Sequence, residues 1–500
     1  MKYKYSLFLL VLSLWITGCR TTQPVTLLHI NDVYEITPLD NGAIGGMARV
    51  ATLNQQLKKQ NPQTYFFHAG DFLSPSVIGT LKENGKTIRG KQMVDVMNVS
   101  GVQYATFGNH EFDLDDNQPV NLQERINESA FQWLVSNAKQ KQGADYVPFH
   151  KDHDGKQELF PTSVILNTPA ARIGVLAVTI PVNKPYVQFA DPIEAAKQEY
   201  ARLKPNCDFV VALTHINAVD DKRLAEALPD LKLIMGGHDH DNMRIPVGNL
   251  TVCKADANAK TAYIHRLLIN KRTKKVKVVS ELKTIDRSIP DEPATAQVVQ
   301  KWQQIADKSF RDMGFNQTEV VTVATEPWDG REASVRNQTT VLTDLIAKAI
   351  HAAAPDADVS LYNGGSIRVD DVLKGNITQY DIVRILPFGG EIQTVSMTGE
   401  LLKQVLTTGR QNKGRGGFLH YDGAQYNEAG QTWTVKGQPV DPVKVYKVAI
   451  SDFLMTGKEF GMSFLTPENP GVKGIEKADK SNPGDLRSDI RKAFIGYFKK

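Results

Sequence analysis

The chain has 500 residues, 41% apolar and 23% charged, which is ordinary for a folded globular protein and long enough for two cores. Its 59 basic and 55 acidic residues leave a net charge of +4 with no long basic run, so no nucleic-acid partner is expected. The three cysteines show no Cys-x-x-Cys or zinc-finger spacing.

At the N-terminus, Lys2 and Lys4 precede an apolar stretch, Leu7 to Ile16, that is too short to span a bilayer. It ends in Ile16-Thr17-Gly18-Cys19, which resembles the lipobox of bacterial lipoproteins. The resemblance implies a signal segment over 1–19, cleavage before Cys19, lipidation of that residue, and anchoring to a membrane without spanning it. Arg20 stands where an Asp would suggest inner-membrane retention, which favours an outer-membrane anchor facing the periplasm. An ordinary signal peptide with a coincidental Cys is the alternative. Cys207 and Cys253 lie in apolar, strand-like runs and are expected to be buried free thiols, although an exported setting permits a disulfide.

From Val25 to about Leu282, short apolar runs alternate with helical stretches. Val25–Ile30, Tyr65–His68, Gln103–Phe107, Phe209–Leu213 and Leu231–Met235 read as strands, and Gly46 to Gln60 reads as an amphipathic helix. This pattern argues for a layered α/β domain over 25–285. A polar, Pro-containing stretch and one helix, Ala294 to Met313, form an expected linker over 286–317. A second domain is expected over 318–500, with a strand at Val320–Val323, a helix from Thr340 to Ala353, a Gly-rich turn at Asn363-Gly364-Gly365 and a strand at Lys444–Ile450.

Polar motifs close the apolar runs of the first domain: Asp32, Gly70-Asp71, Gly108-Asn109-His110-Glu111, Thr214-His215 and Gly236-Gly237-His238-Asp239-His240. In parallel α/β sheets, catalytic groups gather at the carboxyl ends of strands. Two metal ions a few ångströms apart need a bridging carboxylate and N/O ligands on each side. Asp32, Asp71, Asn109, His215, His238 and His240 supply that set, and its mixed Asp, Asn and His character suits Zn, Mn, Fe or Co better than Ca.

These motifs resemble those of the metallophosphoesterases, and specifically of the 5′-nucleotidase / UDP-sugar hydrolase family, over nearly the whole mature chain. The resemblance implies a four-layer αββα metallophosphoesterase sandwich, a linker helix and a second, α+β substrate-binding domain. It implies that Asp71 bridges two divalent ions, that Asn109, His215 and His238 are ligands, and that His240 binds the first metal. It also gives His110, partnered by Asp113, the part of a catalytic histidine acting on the departing oxygen. One position departs: the His of the family's Asn-Asp-x-His motif is Tyr34 here. Protonated tyrosine is a poor ligand, because its unperturbed pKa is about 10. Tyr34 is therefore a spectator, a ligand to an unusual metal, or the mark of a weakened first site; the spectator reading is preferred.

In the second domain the resemblance gives Asn363, Gly365 and Arg368 to the nucleotide, Arg336 to phosphate, and Phe388 and Phe453 to a clamp on the base. Glu459 stands near where the family has an Asp that contacts ribose. The implied activity is release of phosphate from extracytoplasmic nucleotides. The alternatives are a 2′,3′-cyclic nucleotide, UDP-sugar, dinucleotide or other small phosphoester substrate, or a nucleotide-binding lipoprotein with an impaired metal site. The oligomeric state is not readable.

Overall fold

The computed structural model describes residues 22–40 and 42–499. The expected signal segment and Cys19 lie outside the described residues. By its contacts the chain forms two units. The first holds the described residues up to Phe72 together with Met93–Ala296, and the second holds Leu73–Gln92 with the chain from Gln297 onward. The division falls inside the helix Pro293–Asp312, within the expected linker.

The first unit is built on two six-stranded sheets. In one, the spatial order is Val276–Thr284, Thr261–Asn270, Thr22–Ile30, Thr64–His68, Tyr104–Ala105 and Gln132–Trp133. In the other it is Ser163–Asn167, Arg172–Thr179, Phe209–His215, Ile234–Gly236, Leu250–Lys254 and Met243–Val247. Val25, Leu27 and Phe67 of the first sheet share one buried cluster with Val175, Val211, Leu213 and Met235 of the second, so the sheets pack face to face. Alternation sends Leu28, Ile30 and Phe66 to the opposite face, where they are also buried, beside the helix Met47–Gln60. The outer face of the second sheet, through Leu176, Val210 and Ile234, packs on the helices Pro192–Leu203 and Ala218–Ala227. The result is the four-layer α/β sandwich.

Two strands are shorter than expected. Gln103–Phe107 contributes only Tyr104–Ala105 to the ladder, although Gln103 N–H still donates to Phe66 O and Thr106 N–H to His68 O. Leu231 and Leu233 are apolar because they fill the core from a turn; the strand itself is Ile234–Gly236. Both cysteines are free. Cys253 is buried in a strand, but Cys207 is half-buried in the turn before one, its Sγ donating to Leu203 O, which corrects the buried-strand expectation.

The second unit centres on a five-stranded sheet in the order Leu419–Asp422, Val359–Asn363, Val445–Ser451, Ile392–Thr398 and Val472–Glu476. Val359 and Leu361 point to the helix Gly399–Gln411, through Leu402, Val405 and Leu406. Ser360 and Tyr362 point the other way and donate to Ala347 O and Thr343 O of the helix Val341–Ala353. Thr340 caps that helix in a capping box with Thr343. No described helix is long and apolar enough to cross a membrane.

Candidate active site

Each candidate ligand of the first unit lies at or just past the carboxyl end of a parallel strand. Thr22–Ile30 runs parallel to Thr64–His68, which runs parallel to Tyr104–Ala105, and these deliver Asp32, Asp71 and Asn109. Phe209–His215 runs parallel to Ile234–Gly236, delivering His215, His238 and His240. At four of these positions the backbone turns back sharply. Asp32, Asp71, His238 and His240 have φ of 53°, 59°, 85° and 59°, the left-handed region that side chains normally avoid. Two glycines permit the close approach of the loops. A Cβ on Gly108 would run into the Asp71 carboxylate, and one on Gly237 would run into the Ala69 carbonyl.

Ligand atoms of Asp71, His215 and His238 lie within 4.8 Å of one another, as do those of Asp32, Asp71 and His240. Asp71 belongs to both groups, in the position a bridging carboxylate requires. His215 Nδ1 is 2.6 Å from Ala69 O, an arrangement that turns Nε2 toward Asp71 Oδ2 at 3.1 Å. Asn109 Oδ1 is 3.0 Å from His238 Nδ1, which adds the amide oxygen to the Asp71–His215–His238 group. His110 Nδ1 is 2.7 Å from Asp113 Oδ2, and its backbone N–H donates to Asp71 Oδ1 at 2.8 Å. The structure thus brings together all eight residues expected in this unit.

The electrostatics follow from dry burial. Burial opposes charge on Asp32, yet the imidazoles of His215 and His240 outweigh it and hold the carboxyl well below its ordinary range. Asp71 is lowered against burial in the same way, by His215 and His110. Burial would lower His215, but Asp71 and Asp32 hold it up at about 9, a measure of the negative field a cation would meet there. His238 is pushed down to about 4 by burial and by His215.

Three supporting groups were not singled out by the sequence. The Glu111 carboxylate accepts from the backbone N–H of Gly108, Asp71 and Phe72 at 2.6, 2.9 and 2.8 Å, tying two ligand loops together. Asn31 donates to Asp32 Oδ2 and accepts from Ala255 N–H, both at 2.7 Å. Lys254 is fully buried, donates to Ile216 O and Gly237 O at 2.6 and 2.7 Å, and pairs with Asp221 and Asp239. It fixes the loops that carry His215, His238 and His240. Glu111 sits inside the Gly-Asn-His-Glu motif, which was its signal. Lys254 gave none beyond a charge closing an apolar run. The Tyr34 hydroxyl lies 3.0 Å from His240 Nε2, 3.2 Å from Asp71 Oδ2 and 3.5 Å from Asp32 Oδ1, inside the cluster rather than beside it.

In the second unit, Asn363 ends a central strand and donates to Glu459 Oε2 at 2.9 Å. Gly365 N–H donates to Gly416 O at 2.7 Å, and a Cβ on Gly365 would crowd Gly416. Arg368 donates to Gly365 O at 3.0 Å and its guanidinium lies 5.4 Å from the Phe388 ring centre. Asp452 N–H donates to Glu391 O, which joins the turn after Phe388 to the segment carrying Phe453. Arg336 pairs with Glu332 at 2.5 Å, and the Val335 carbonyl beside it abuts Gly364. Arg331 sets its fork on Asp329. Phe460, with Arg415 stacked 4.0 Å from its ring centre, is a further exposed aromatic next to Glu459.

Two family models match this chain: calcineurin-like phosphoesterase over residues 25–242 and 5′-nucleotidase, C-terminal domain, over residues 320–465. The chain belongs to the two-domain 5′-nucleotidase family. It is a metal-dependent phosphoester hydrolase. Protein UshA of Escherichia coli (strain K12) is 26% identical over 538 residues, covering 95% of this chain and 91% of its own. The 5′-nucleotidase of Mus musculus is 24% identical over 501 residues, covering 87% and 83%. The crystal structure of a 5′-nucleotidase precursor from Thermus thermophilus shares the fold with a TM-score of 0.70 at 21% identity, covering 95% of this chain and 96% of that one.

Proposed function

We propose that this chain hydrolyses the phosphate ester of 5′-nucleotides outside the cytoplasm, at two metal ions, giving a nucleoside and phosphate. The observation that carries this reading is the convergence of Asp32, Asp71, Asn109, His215, His238 and His240 on two donor groups that share Asp71. Bound there, the metals would polarise the phosphoryl group and make a water nucleophilic near neutral pH. Asp32, Asp71 and His240 would hold one ion, and Asp71, Asn109, His215 and His238 the other. The donors are borderline to hard, which suits Zn, Mn, Fe or Co. Asp113 orients His110, which gives a proton to the departing 5′-oxygen. Arg336 and Arg368 bind phosphate oxygens. Phe388 and Phe453 stack on the base, and Asn363, held by Glu459, contacts the nucleoside.

The test is phosphate release from 5′-AMP by the purified chain, with chelator and after metal is restored. Release that the chelator abolishes and metal restores is expected. No release from any of a panel of 5′-nucleotides, with two metals bound per chain, would overturn the substrate assignment. The setting is a separate part of the proposal, supported by the lipobox-like Ile16-Thr17-Gly18-Cys19. Cells fed a labelled fatty acid should label the chain, and Cys19→Ser should abolish that label. A label that survives the substitution would sink the anchor.

A further inference from the structure

The Tyr34 hydroxyl stands at the metal cluster, and neither the preferred sequence reading nor the proposed reaction uses it. Donor atoms on one metal at bond lengths of about 2.0–2.2 Å stand about 2.8–3.6 Å apart, the spacing of neighbouring vertices in an octahedron or a tetrahedron. Tyr34 Oη meets that spacing against three atoms at once, with 3.0 Å to His240 Nε2, 3.2 Å to Asp71 Oδ2 and 3.5 Å to Asp32 Oδ1. His240 Nε2 and Asp32 Oδ1, at 3.3 Å, meet it against each other. In this structure the hydroxyl donates to both carboxylates. Tyr34 is buried, with its ring edge-on to His110 and tilted against His240, and its backbone N–H is pinned to Asn258 Oδ1 at 3.1 Å.

The two donor groups also differ in charge. Asp71, Asn109, His215 and His238 bring one carboxylate, which is shared, and neutral donors. Asp32, Asp71 and Tyr34 bring three oxygens that are anionic when bound, with His240 as the one nitrogen. Three hard anionic oxygens on one centre suit a trivalent ion better than a divalent one. We propose that Tyr34 is a protein ligand of the Asp32–Asp71–His240 site, its phenolate oxygen completing a four-donor set for ferric iron. The metal–oxygen bond forms as the hydroxyl proton leaves to solvent. The second site keeps a divalent ion, so the pair is of mixed valence. This inference rests on the metal reading above.

The experiment uses the full chain purified in detergent, loaded with iron and zinc or with zinc alone. Metal content and the visible spectrum are recorded, because phenolate bound to ferric iron absorbs visible light and zinc forms do not. The iron form should be coloured and the zinc form colourless. Tyr34→Phe should lose the band, and Tyr34→His should lose it while keeping two metals per chain. His110→Asn should keep the band. A band that survives Tyr34→Phe, or a wild-type protein that holds iron without one, overturns the proposal. A wild-type protein that binds two divalent ions and hydrolyses nucleotide, yet shows no iron band, overturns only this inference. One that binds no metal overturns the metal reading as well.

Discussion

In the first unit, Asp32, Asp71 and His215 expose no surface at all, while in the second unit Phe388, Phe453 and Phe460 expose 61%, 44% and 59%. The first set is held from behind by Glu111, Asn31 and Lys254, each buried and hydrogen-bonded to the loops it supports. The second set stands on turns, with the glycines of Leu386-Pro387-Phe388-Gly389-Gly390 at φ of 62° and 106°. The contrast separates two jobs. Charges that must act on a phosphoryl group are most effective when fixed and dry, since water and mobility weaken them. Aromatic faces that accept a base need to be reached, and stacking tolerates some freedom.

That division can be broken at its strongest point first. Asp71→Asn removes the carboxylate common to both donor groups and should reduce kcat/KM about a thousandfold or more, with metal content per chain falling in parallel. Unchanged metal content with full activity would dissolve the distinction between the two sites. His110→Asn should lower kcat by about 10²–10⁴ with metal content retained, which separates proton transfer from metal holding. Phe453→Ala should act in the opposite way. It should raise KM roughly 5- to 150-fold, matching stacking worth about 1–3 kcal/mol, with kcat little changed.

Acid should sharpen the contrast further. Burial pushes His29 and His68 down to about 3 and His265 well below its ordinary value, all in the first unit. Their folded pKa values lie below the unfolded value of about 6.5, so stability is complete above that pH and is lost as pH falls toward 3. At pH 5 the loss is about 2 kcal/mol for each of His29 and His68. His215, held up at about 9, gains its full contribution only as pH falls below 6.5 and so offsets a minor part of that loss. The second unit carries His420, lowered to about 4 by burial. With chelator present, urea melts followed in the first unit should shift to lower midpoints between pH 7 and pH 5, and by more than melts followed in the second.

The strand-end motifs were readable because an apolar run closing on Asp or His is an unusual way to finish a strand. Asp32, Asp71, Asn109, His215, His238 and His240 all come from such closures. Tyr34 was visible as a departure, but its direction was not, because a side chain's aim depends on φ at Asp32 and on Asn258, 224 positions away in the chain. Lys254 was hidden for the same reason. Its partners Asp221 and Asp239 are neighbours only after two strands pair. The grouping of Leu73–Gln92 with the second unit also left no mark, since a composition typical of loops does not say which body the loop joins. Short strands were over-read where apolar residues such as Leu231 and Leu233 serve the core from a turn.

The left-handed backbone at Asp32, Asp71, His238 and His240 has a consequence for descent. Each of these residues sits where glycine, which has no Cβ, would be more comfortable. Selection for hydrolysis alone keeps them. A lineage released from that selection would become more stable by discarding them, and the first substitutions to accumulate would be Gly at these positions. Their appearance in a related chain would date the loss of chemistry before any decay of the core, so the same four residues that build the centre would also record its abandonment.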